Sequence, residues 1–147
     1  MASSSEQNKN LMRQYIEEAW NKGDLSFIDK NLADDFVNHS TSPGHPTDKN
    51  GVKWIISTMR KASPDIHFII EHMIAEGDKV ATRWVAQGTH TGELMGMPPT
   101  GKKVTVTATV IERTGENGKV KEHWGNRDDL GLLQQIGIIP PSGTAAR

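Results

Sequence analysis

EHWGNRDDLGLLQQIG, Glu122 to Gly137, changes its period in the middle. Glu122, Trp124, Asn126 and Asp128 alternate, so on a strand they share one face. From Asp129 onward Leu130, Leu133 and Gln134 fall at helical spacing, and Gly137 supplies a stop. A strand therefore hands over to a helix at Asp128–Asp129. An aromatic, an amide and a carboxylate face the same side. If that side is a pocket, the chain owns an acid/base group with a polar partner. If it is not, Asp128 or Asp129 caps the last helix.

The stretch before it is built for strands. TGENG, Thr114 to Gly118, turns Val104–Arg113 into Lys119–Asp128. Val104, Val106, Ala108 and Val110 alternate with Thr105, Thr107 and Thr109, and the threonine side suits partial exposure. A Gly- and Pro-bearing loop, Thr91–Lys102, joins these to Lys79–Gly88, and Glu76-Gly77-Asp78 turns back to Ile66–Ala75. The first half is helical. Ser4-x-x-Gln7 has the form of a capping box, followed by the stripe Leu11, Met12, Tyr15, Ile16, Ala19, Trp20. Gly23 ends that helix, and Asp24 caps a second whose buried side holds Leu25, Ile28 and Leu32. Phe36–His39 forms a short strand, Ser40–Gly51 a loop, and Val52, Ile55, Ile56 and Met59 a third helix that Pro64 stops. Tyr15, Trp20, Phe36 and Trp54 read as core residues. The expected fold class is α+β: a curved antiparallel sheet packed on N-terminal helices, with a short C-terminal helix.

The 147 residues suit one domain, with an ordered core over about residues 6–140 and loose ends at Met1–Ser5 and from Pro140. Lys and Arg number 17 and Asp and Glu 18, with no long run of one sign, which argues against nucleic acid or an anionic membrane as partner. The absence of cysteine excludes a disulfide framework or thiolate metal site. No apolar run approaches the length of a membrane span and no apolar leader opens the chain, so the expectation is a cytoplasmic protein. A sheet curved over helices leaves a hollow suited to a small hydrophobic molecule. Apolar residues on the outer face would suit a second copy of the chain, packed through the sheet as a homodimer.

Three stretches together resemble the SnoaL-like polyketide cyclase family of the NTF2-like superfamily, whose fold is a cone-shaped α+β domain. They are EEAWNKGDL (Glu17 to Leu25), GTHTGELMGMPPTGKKV (Gly88 to Val104) and EHWGNRDDLGLLQQIG. The resemblance runs roughly from Asn8 to Pro140. It implies an intramolecular aldol closure without metal or cofactor, run by an aspartate at the end of the last strand. Four positions on from Trp124, that residue is Asp128. One carboxyl group can take a proton from a carbon beside a carbonyl and later deliver it, if its pocket raises its pKa toward working pH. Trp124 would supply an apolar wall and Asn126 a hydrogen bond to the enolate oxygen.

The remaining substrate-binding candidates are His39 after the short strand, Trp84 on a central strand, His90 in the mid-sheet loop and Met97 at that loop's apolar tip. Three have a plainer alternative: a structural or surface role for His39, loop ordering for His90, and a loop anchor for Met97. Arg83 and Trp84 face opposite sides of their strand, and either could be inward. Arg127 sets a cation beside Asp128, and Asp129 reads as a cap or surface charge. No His-Glu-x-x-His run exists, so no metal site is expected. Two functions follow from the same hollow. One is a cofactor-free lyase or isomerase acting on a polyketide-like carbonyl compound. The other is a non-catalytic module that binds a small molecule or serves as a dimeric scaffold.

Overall fold

The computed structural model describes residues 4–140. Of the ends expected to be loose, residues 1–3 and 141–147 lie outside the described residues. Ser4 caps the first helix, α1 (Ser5–Gln14), with the reciprocal Ser4–Gln7 capping box that its sequence prescribes. This helix then continues in a form that periodicity did not signal. Tyr15–Asn21 is π-helical, with Lys22 N–H reaching back to Glu17 and Asp24 N–H to Glu18. Arg60 caps its end by donating to the carbonyls of Trp20 and Asn21. The wider turn brings Tyr15, Ile16 and Trp20 together toward the sheet.

The order that follows is α2 (Ser26–Asn31), β1 (Leu32–Asn38), α3 (Lys49–Ala62), β2 (His67–Glu76), β3 (Lys79–Thr89), β4 (Lys103–Thr114), β5 (Val120–Arg127) and α4 (Asp129–Gln135). Asp24 accepts a hydrogen bond from Ser26 N–H one step before α2, whose own N-cap is Leu25. Asp48 caps α3 by accepting from Gly51 N–H.

The four strands β2 to β5 form the expected antiparallel meander. The sheet has a fifth member, because β1 pairs parallel to β5, giving the order β1-β5-β4-β3-β2 and a mixed sheet. β1 reaches that edge because the loop and α3 after it carry the chain across to β2 at the opposite edge. A bulge between Ile70 and His72 lets β2 keep Phe68, Ile70, Met73 and Ala75 on the inner side. Asn21 fastens helix to sheet, its amide accepting from Phe68 N–H and donating to Phe68 C=O.

One core joins α1, α2 and α3 to the inner face, through Met12, Tyr15, Ile28, Leu32, Phe36, Ile56, Val80 and Val120. A second, under α4, gathers Ala62, Leu94, Val106, Leu132 and Ile136. Between them the curved sheet and the helices do not close, and a hollow remains. No helix among the described residues is long and apolar enough to cross a membrane.

Candidate functional site

The inner face of β4 carries Val106, Ala108, Val110 and Glu112, all buried, and its outer face carries Thr105, Thr107, Thr109, Ile111 and Arg113. Across the ladder Ala108 meets Arg127, Val110 meets Gly125 and Glu112 meets His123. The inner residues of β5 are therefore His123, Gly125 and Arg127. They line a hollow of about 290 Å³, together with Tyr15 and Trp20 of the π-helical turn and Thr82 and Trp84 of β3. Asn38, His45, Trp54 and Met95 also border it.

This corrects the face on which the site was expected. Trp124 and Asn126 stand opposite Ile111 and Thr109 on the outer face. The alternation along β5 is as expected, but the other set of side chains points inward. His39 also lies outside the hollow: its ring stacks on Trp124 at 5.0 Å, and its Nε2 lies 2.8 Å from Glu122 Oε2. Glu122 accepts from Arg113 as well, and the bonds to His39 and then Arg113 hold its carboxyl below the usual range. Arg83 is outward and paired with Glu71, so no buried arginine–carboxylate arrangement forms on β3. Met97 packs beneath α4, while Met95, in the left-handed region at φ 50°, borders the hollow in its place. Trp54, expected in the core, is 48% exposed and meets His45 at 4.6 Å at the mouth.

Asp128 is exposed and does not line the hollow. Its Oδ1 accepts from Gly131 N–H at 2.9 Å, which makes it the N-cap of α4. A Cβ on residue 131 would fall 2.3 Å from Asp128 Oδ2, so Gly131 leaves room for that cap. Asp129, which the sequence suits to a cap or surface charge, accepts from Arg127 Nε at 2.7 Å and borders the hollow. Trp84 lines the hollow, and His90 borders a smaller chamber beside it.

The chemistry inside centres on His123, whose Nδ1 lies 2.9 Å from Glu112 Oε2. A carboxylate only accepts, so the neutral imidazole carries its proton on Nδ1 and presents Nε2 as a base. Gly125 keeps that nitrogen open, since a Cβ there would lie 2.9 Å from it. Burial alone would pull the His123 pKa down. The charge and hydrogen bond of Glu112 outweigh burial and the repulsion of Arg127, and the net direction is upward. Tyr15 stays a neutral phenol: burial, then the charge of Glu112, push its pKa well up, and a Trp20 hydrogen bond offsets only part. Thr82 Oγ1 is buried in the same hollow with no hydrogen-bond partner among the described residues. A base, a phenol and a free hydroxyl thus share one mostly apolar space. Among the described residues, no three His, Asp or Glu side chains gather as a group that could hold a metal.

Sequence reasoning does not single out Glu112, His123 or Thr82, and it reads Tyr15 chiefly as core, with a ligand platform as the lesser reading. The available signal was the spacing of Glu112 and His123 about the TGENG turn, which makes them cross-strand partners once the register is known.

A family description for SnoaL-like polyketide cyclase matches residues 10–136. The nogalonic acid methyl ester cyclase of Streptomyces nogalater is 28% identical over 121 residues, covering 81% of this chain and 90% of that one. Among solved structures, AclR from Streptomyces galilaeus, a candidate hydroxylase, superposes with a TM-score of 0.83 at 31% identity, covering 97% of this chain and 88% of that one. IdmH from Streptomyces antibioticus, a candidate polyketide cyclase, gives 0.77 at 33% identity, covering 89% and 99%.

The site makes one electrostatic prediction. The His123 Cε1–H resonance will titrate above the ordinary value of about 6.5, and in Glu112→Gln its midpoint will move down. The stability gained from this proton is full below about pH 6.5 and is lost as pH rises through the folded-state value. A midpoint unmoved by the Glu112 substitution would contradict the pairing.

Proposed function

Because the chain belongs to the SnoaL-like polyketide cyclase family, we propose that it closes a ring in a hydrophobic carbonyl compound by an intramolecular aldol reaction, with His123 as the base. The observation that carries this reading is the His123–Glu112 pair inside an otherwise mostly apolar hollow. Nε2 of His123 removes a proton from the carbon beside one carbonyl. The resulting enolate carbon bonds to a second carbonyl carbon of the same molecule. The alkoxide formed there takes the proton back from the imidazolium. No atom or electron is left over, and the chain's own side chains supply every group the cycle uses.

Glu112 matters twice. It holds the ring in the tautomer that exposes Nε2, and its negative charge stabilises the imidazolium between the two proton transfers. Tyr15 and Thr82 offer hydroxyl donors to the enolate or alkoxide oxygen, where hydrogen bonds strengthen as charge develops. Trp20, Trp84 and Phe36 exclude water and favour a folded-up substrate. On this reading Asp128 serves α4 rather than the reaction, and Arg127 with Asp129 sets the polar edge of the hollow.

The outer face of the sheet supports the homodimer as a second part of the proposal. Ile69, Ile74 and Ile111 are exposed there, beside the stacked His39–Trp124 pair. Unpaired apolar residues on a broad sheet face suit a two-fold partner. Sedimentation at micromolar concentration is expected to give a dimer, and Ile111→Lys a monomer. A monomeric wild type would reject this part.

The chemistry is testable without the natural substrate. We expect the protein to accelerate α-hydrogen exchange of 2-tetralone in D₂O, read by proton NMR. His123→Gln should lower the rate by about 10²-fold or more, within the span general-base catalysis contributes. Asp128→Asn should keep the rate, and because asparagine caps a helix about as well as aspartate it should keep the fold's stability too. Exchange lost in Asp128→Asn and retained in His123→Gln would reverse the assignment.

A further inference from the structure

Beside the main hollow lies a smaller chamber of about 60 Å³, with Trp20, Met59, Phe68, Trp84, Leu94 and Arg127 bordering both. Its remaining walls are mostly apolar, with Ala62 at the end of α3, Ala86 and Val106 on the sheet, and Leu132 and Ile136 from the C-terminal segment, while Ser63 and Gln87 also border it. One polar ring borders it. His90 is 2% exposed, and its Nε2 has no hydrogen-bond partner among the described residues.

The other nitrogen of that ring decides what Nε2 is. Thr100 N–H points at Nδ1 from 3.3 Å, and Thr100 Oγ1 lies 3.0 Å from the same atom. A backbone N–H can only donate, so Nδ1 is the acceptor and the proton of the neutral ring sits on Nε2. The His90 ring therefore presents to the chamber a donor that nothing among the described residues receives. A buried donor of this kind is costly to leave unpaired, so its natural complement is an acceptor.

The ring is held firmly. His90 N–H donates to Lys102 C=O, and its own C=O accepts from Gly101 N–H. Thr91 and Gly92 N–H both donate to Ala62 C=O at the end of α3. Gly92 sits so close that a Cβ there would fall 2.2 Å from Lys61 C=O. A loop seated this tightly leaves His90 little freedom to turn its donor elsewhere.

We propose that this chamber is a subsite for a short arm of the ligand carrying an acceptor oxygen (a ketone, ester or ether), and that His90 Nε2–H selects it. The inference rests on reading the hollow as the ligand site, and it narrows the substrate class. The body of the ligand lies against His123. A side arm of a few heavy atoms passes Trp84 and ends on His90. The volume admits an acetyl or methoxycarbonyl group and not a further ring. An analogue whose arm lacks the acceptor leaves the buried His90 donor unpaired and binds less tightly.

Two probes of nearly equal shape test this: 2-acetylnaphthalene, whose arm ends in a carbonyl, and 2-isopropylnaphthalene, whose arm has none. Quenching of tryptophan fluorescence reports binding, since Trp20 and Trp84 border the chamber. Wild type should bind the acetyl compound about 10-fold more tightly, and His90→Phe should bind both alike. Equal affinities in wild type, or a preference that survives in His90→Phe, would overturn the subsite and leave the hollow standing as a ligand site. Failure of wild type to bind either compound would overturn both. Nitrogen-15 NMR of the wild-type histidines gives a second reading that does not depend on how the variant folds. The His90 ring should carry its proton on Nε2, and that signal should move with 2-acetylnaphthalene and not with its isostere. A proton on Nδ1 would overturn the assignment.

Discussion

Glu112 and His123 face each other across β4 and β5, on the side of the sheet that the helices cover. Everything the site can do depends on that pairing. In a strand the side-chain period is two, so a slip of one residue would exchange His123, Gly125 and Arg127 for Trp124 and Asn126. The hollow would then hold an indole and an amide, with no imidazole opposite Glu112. Two features pin the register. The bulge next to Thr114 and Val120 sets the ladder's offset from the turn, and buried valines on β4 and β5 hold one face to the core.

The rest of the fold keeps the space in front of this pair from filling. The π-helical turn crowds Tyr15 and Trp20 onto one side of α1, and Arg60 and Asn21 secure its end to α3 and β2. Gly125 withholds the one side chain that would cover His123 Nε2. The segment after β3 is tied to the end of α3 and to its own Thr100, which closes the far end of the space with His90. The result is an apolar vessel with polar groups at separated points, suited to a rigid molecule with oxygen functions at matching positions.

Most of the architecture was legible in the residues. The capping box, the helical stripes, the turn formers and the valine–threonine alternation mark the elements to within a few positions, and three motifs resemble one family. What was hidden has physical causes. Alternation on β5 is plain, but both of its faces are mixed, with Trp124 on one and His123 on the other, so pattern alone does not say which is inward. The carboxylate at Asp128 looks the same whether it caps a helix or moves a proton. A π-turn leaves no period of its own in seven residues. The parallel pairing of β1 with β5 joins residues about 85 positions apart and has no local signature. Trp54 keeps the spacing of a core residue while standing at the mouth, because a helix side that faces a hollow is as apolar as a buried one.

The same inward set includes Thr82 and Arg127, so the account stands or falls on which β5 face meets the ligand. A crystal structure of the protein with 2-tetralone bound tests this most directly. The account predicts the ketone inside the hollow with its α-carbon against His123 Nε2, and Asp128 still holding Gly131 N–H. A ketone placed against Asp128, with that side chain swung away from Gly131 and His123 untouched, would contradict it.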